Sequence, residues 1–205
     1  MVVVNTNAEI SRLRDLMPAS GRMKIRLLLD DRQSTVIHAP FPRPWQRSHA
    51  ITLNYGLWQA LSAPQRDLLF LRYVCWVLSV QVLKPQLYQG ITVAGTAAAL
   101  FELTQGDLIG VLGAGGLSAI AAFQVWRNNT GTQAELAADE EAIRVAQRRG
   151  YDEPVALRHL ISAIEAVPII EGRGQLNFSE LMRVQNLRGL AGQSPLSTPE
   201  RTRSR

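Results

Sequence analysis

The chain has 205 residues, of which 46% are hydrophobic, and a formal charge of +5. That apolar share is enough to close a core, which excludes intrinsic disorder as the overall state. The basic residues are scattered with no aromatic ladder between them, which speaks against a nucleic-acid groove, and the single cysteine, Cys75, excludes an internal disulfide and a cysteine-based zinc site.

Residues 1–21 read as an N-terminal segment holding a short docking helix over 8–17, where Ile10, Leu13, Leu16 and Met17 share a face. No long apolar run follows a basic start, so no signal peptide is expected. Lys24–Leu29, Ser34–His38 and Ile51–Asn54 carry strand-type composition, and the run Ala39–Trp45 is rich in proline. Together the three strands predict a small antiparallel sheet. A short helix over Leu57–Leu61 follows Gly56, and Ser62 with Pro64 opens the next, over 63–83. Between Leu68 and Leu83 that helix is apolar almost all round, so it is buried on most sides or lies in lipid. Arg72 is its one charge there.

Two apolar arms follow, Leu87–Leu103 and Leu108–Trp126, with only Glu102 and Asp107 charged between Lys84 and Arg127. At ~1.5 Å per residue each arm spans roughly 25–29 Å, slightly short of a ~30 Å hydrocarbon core. Small residues on both arms, such as Ala94, Gly95, Gly113 and Gly116, suit close helix packing in lipid. Acidic residues at the turn and basic ones at the open ends leave the soluble parts on the cytoplasmic side. The pattern predicts a membrane hairpin over 87–126; the other reading is a buried hairpin of a soluble helical domain. Helices over 132–149, 154–167 and 178–190 complete the order, and 193–205 is too polar and proline-rich to fold alone. The class expected is mainly α with a small antiparallel β-sheet (α+β): one domain over 22–167, a C-terminal helical segment over 168–192, and a disordered tail.

The run His49–Ser62, the pair Glu135 and Asp139, and the Gly150–Ala156 turn, in that order around an apolar hairpin, resemble HtpX-type membrane zinc metallopeptidases over roughly 22–167. The resemblance implies a helix bearing HExxH, whose two histidines bind zinc while the glutamate activates water. At that register this chain has Arg72, Tyr73, Val74, Cys75 and Trp76. Arginine stays protonated and tryptophan offers only a donor, so neither is a metal ligand. Tyr73 replaces the carboxylate base. Glu135 alone stands at a ligand position, with Asp139 one turn on. The chain also resembles a cyanobacterial family of unknown function in the segments Glu9–Leu13 and Leu16–Met23.

These likenesses imply a degenerate site of Arg72, Tyr73, Trp76, Glu135 and Asp139, with no catalytic residue, no metal and no cofactor. They imply an integral protein of the thylakoid or plasma membrane. Its partners would be membrane lipid and a membrane-protein complex or protease, photosynthetic complexes among them, which it would help to assemble or survey. The alternatives are an enzyme with relocated metal or other chemistry, or a peripheral lipid-binding protein. His38, His49 and His159 lack ligand spacing, and Cys75 reads as a small buried hydrophobe. A lone guanidinium in an apolar helix requires a carboxylate beside it. Glu135 is the first candidate and Asp139 the second.

Overall fold

A computed structural model describes residues 6–42, 46–82, 97 and 131–192. Apart from residue 97, the hairpin expected at 87–126 lies outside the described residues, as do the tail at 193–205 and the centre of the proline-rich loop. Helices α1 (Thr6–Leu16) and α2 (Ala19–Lys24) lead into strand β1 (Ile25–Leu29), followed by β2 (Ile37–His38) and β3 (His49–Leu53). Then come α3 (Tyr55–Trp58), α4 (Ala63–Val82), α5 (Thr132–Gln147), α6 (Glu153–Ile170) and α7 (Phe178–Leu190). The class is α+β, mostly helical, with one small sheet.

That sheet is mixed, which corrects the antiparallel expectation. Its order is β1-β3-β2, with β1 parallel to β3 from Ile25 opposite His49 to Leu29 opposite Leu53, and β2 antiparallel to β3. Residue pattern marks a strand without giving its direction, which the connections decide. Here the turn after β1 is captured by the end of β3. Asp30 N donates to Leu53 O at 3.0 Å, and Asn54 Nδ2 donates to the carbonyls of Asp31 and Gln33 at 3.2 and 2.8 Å. β1 is thereby held against β3, and the chain reaches β2 on the far side. The Asn54 carboxamide also caps α3, accepting from Leu57 N at 3.1 Å.

Alternation along β3 turns His49, Ile51 and Leu53 inward. Ile51 and Leu53 meet Leu13, Met17, Trp58, Phe70 and Val74 in a first core. A second core joins Leu68, Leu71 and Cys75 of α4 to Ala142, Ala146, Leu157, Leu160, Val184 and Leu187. The helix α4 belongs to both, which is why its sequence is apolar on nearly every side. Ala138, Ala142 and Ala146, four residues apart and fully buried, let α5 lie close along it. Gly21 does the same for α2, since a Cβ there would stand 3.2 Å from Val74 Cγ1. Among the described residues no helix is long and apolar enough to cross a membrane. In α4 itself Arg66, Asp67 and Arg72 interrupt the apolar run.

Candidate functional site

The close contact of α4 with α5 puts Arg72 opposite Glu135 and Asp139, which are one turn apart on the same face of α5. Arg72 is 3% exposed and Asp139 fully buried. Arg72 Nη2 forms an ion pair with Glu135 Oε2, and Arg72 Nε stands 3.5 Å from Asp139 Oδ1. The pairing expected from the lone charge is present, but it is incomplete. The Nε separation is too long for a good hydrogen bond, and that atom has no other partner.

Asp139 is held instead by Arg183 of α7. Its two oxygens accept from Arg183 Nε and Nη2, each at 2.7 Å, in a buried bidentate pair. The C-terminal helix thus supplies a residue that the sequence reading left out of the site. A signal was there: Arg183 falls in phase with Val184 and Leu187, so a charge sits on the packing side of an amphipathic helix. Burial and the neighbouring Arg183 push the Arg72 guanidinium down to about 10, with Asp139 opposing them, and it stays charged at neutral pH. For Arg183 burial also works against the charge, but Asp139 outweighs it and the value is raised.

The Tyr73 ring lies 4.7 Å from Arg72 Cζ and adds a cation–π contact. Trp76, half-buried, packs edge-on against Phe41 with centroids 6.2 Å apart. Arg72, Tyr73 and Trp76 border a cleft of about 300 Å³ that also reaches His38, Glu135, Ser179 and Arg183. All five residues of the expected degenerate site therefore adjoin one another, with Arg183 as the added sixth.

Two guanidinium groups and two carboxylates leave the cluster neutral. The Asp139 oxygens are filled by donors, and a divalent cation would have to displace a guanidinium and then face its positive charge. Among the described residues no group of three His, Cys, Asp or Glu side chains is placed to hold a metal. His49 is buried at the start of β3, its pKa lowered by burial and by Lys24, while His38 is exposed at the cleft. Burial pushes the Cys75 thiol up to about 12, so it carries no nucleophilic thiolate at neutral pH.

The chain is 28% identical over 166 residues to a thylakoid membrane protein of Synechocystis sp. (strain ATCC 27184 / PCC 6803 / Kazusa), a match covering 78% of this chain and 76% of that protein. No solved structure matches it. Residues 11–151, which contain α4, the apolar arms and both carboxylates of the cluster, match the model of a family described as "protein of unknown function (DUF3318)". The chain belongs to that family.

Proposed function

We propose that this protein is a non-catalytic, membrane-associated factor that binds membrane-protein complexes, photosynthetic ones of the thylakoid foremost, during their assembly or quality control. One observation carries the non-catalytic part. Where the metallopeptidase-like frame would hold zinc between two facing helices, Arg72 and Arg183 occupy Glu135 and Asp139. Water activation needs a cation with an open position or a free carboxylate base, and the cluster offers neither. The arms 87–103 and 108–126 and the likeness to a thylakoid membrane protein support the membrane part. The scaffolding role follows as the use left to a peptidase-like frame without its chemistry.

Fractionation tests this reading directly. The protein is expected to stay with membranes through both high salt and carbonate washing, and to co-purify from detergent extracts with subunits of photosynthetic complexes, without zinc. Release by salt alone would favour a peripheral lipid-binding protein. Stoichiometric zinc together with a peptidase activity abolished by Glu135→Gln would overturn the non-catalytic reading.

A further inference from the structure

The two edges of the sheet are unlike. β2 is two residues long and runs into Pro40 and Pro42, so that edge is short and blocked. β1 is five residues long, holds no proline or glycine, and lies at the other edge, paired only with β3 among the described residues. The hydrogen bond from Asp30 N to Leu53 O sets the phase of that parallel ladder. Counting back from it in twos, Arg26 and Leu28 spend their backbone groups on β3, while Leu27 and Leu29 turn theirs away from the sheet. Leu28 is 48% exposed and Leu29 39%, with Arg26 exposed beside them, so this edge is open to solvent. A row of free backbone donors and acceptors is matched by one kind of partner, another extended strand.

The side chains select which strand. Laid antiparallel on a second copy, with the two-fold axis through Leu27, the whole of β1 is paired: Ile25 with the partner's Leu29, Arg26 with the partner's Leu28, and Leu27 with the partner's Leu27. The two Leu27 residues then exchange both of their free backbone bonds, and the aliphatic stem of each Arg26 covers the other copy's exposed Leu28. Just outside the strand Lys24 comes opposite the partner's Asp30, and symmetry repeats that pair at the other end; both residues are exposed. Moving the axis to Leu28 would set Lys24 against the partner's Arg32, a like charge, and would leave Ile25 beyond the partner's strand. We propose that β1 is a self-docking edge, through which two copies of the chain join antiparallel into one continuous sheet. So short a pairing buries little surface, and the contact is a weak, reversible one. It goes beyond the membrane-associated reading and does not depend on it.

Register-specific disulfides test the pairing. The 87–126 arms offer copies a separate way to meet, so the readout is the register and not the oligomeric state. Two full chains, one carrying Arg26→Cys and one Leu28→Cys and distinguished by tags, are co-expressed in the native host and oxidised with copper phenanthroline in whole cells, and each is also treated alone. Cys75 is buried and stays silent. With the axis through Leu27 the two introduced cysteines face each other at about 4.5 Å between Cα atoms, within disulfide reach. Two copies of one variant set theirs on a diagonal of roughly 7–8 Å, beyond it. The expected product is therefore the mixed dimer, with little of either self-dimer. Adding Lys24→Glu to both chains turns attraction into repulsion at two symmetric places and should lower the yield of mixed dimer about ten-fold. Adding Asp30→Lys as well should restore it. Within one chain those two residues lie at opposite ends of β1, so the rescue comes only from pairing between chains. Self-dimers as abundant as the mixed dimer, or no dimer at all, overturn the proposal. A mixed dimer indifferent to Lys24→Glu, or not restored by Asp30→Lys, overturns the pairing through this register. A disulfide to a different protein in place of the mixed dimer assigns the edge to a foreign strand and overturns the second copy.

Discussion

Asp139 holds two cations at once, and the consequences of removing each member of the cluster differ accordingly. Asp139→Asn would leave both guanidinium groups buried without their shared anion and is expected to cost about 3–5 kcal/mol, measured by urea denaturation. Arg72→Ala should cost less, because Arg183 continues to hold Asp139 and the partly exposed Glu135 can turn to water. Arg72→Met combined with Glu135→Gln should cost less again, and equal losses in all three variants would refute the cluster as described. The same geometry bears on the metallopeptidase register. Arg72→His, Tyr73→Glu and Trp76→His together would rebuild a ligand set with Glu135, and the folded triple variant is expected to take up zinc. A folded variant with no gain in zinc affinity would count against that register. Acid stability depends on a different pair. The Arg12 hydrogen bonds, with those from Trp58 and the charge of Arg66, hold the Glu9 carboxyl below its ordinary value of 4.5 against the cost of burial. A lowered folded value means stability that is present above pH 4.5 and lost as pH falls through the folded value. Glu9→Gln should therefore flatten the stability profile below that pH and lower the plateau above it.

Helix α7 begins with a capping box, in which Asn177 Oδ1 accepts from Glu180 N at 2.9 Å and Glu180 Oε2 from Asn177 N at 2.8 Å. Asn177→Ala is expected to cost about 1 kcal/mol or somewhat more, since fraying at this end also loosens Arg183 from Asp139. A thermal melt of the variant, compared with that of Arg183→Met, checks the connection. Periodicity made this helix and α5 legible in the sequence nearly to their ends, because both have one packed and one wet side. The Arg72 pairing was legible for a different reason: a charge in an apolar helix has few ways to be tolerated. Other features were not legible. The parallel pairing of β1 with β3 depends on a turn pinned by Asn54, a contact between residues 21 and 23 positions apart that no local pattern records. Arg183 gives only a weak signal in the sequence, because an arginine on an amphipathic helix ordinarily faces water. Its partner sits 44 residues upstream, and only the packing of α7 on α5 reveals it.

The two cores meet along α4, so the domain closes only when α5 has packed on it from beyond the 87–126 arms. Deleting 87–126 shortens that connection, and each halving of a loop lowers its closure cost by only about 0.6 kcal/mol. The deleted chain is expected to stay soluble without detergent and to keep a cooperative melt, whereas the full chain should require detergent; a full chain that is monomeric without it would place the arms in a protein core. The order in which the chain is made adds a further constraint through the buried bidentate pair. Arg183 follows Asp139 by 44 residues, so at ~5–20 residues per second it leaves the ribosome on the order of 2–9 s later. During that interval α4 and α5 can meet only with Asp139 short of its main partner, and the second core lacks Val184 and Leu187. Helix α7 is therefore expected to set the moment at which the nascent domain becomes safe from aggregation. Chains stopped before residue 178 should be degraded or held by chaperones, and chains stopped after residue 192 should accumulate, a contrast that pulse labelling would read directly.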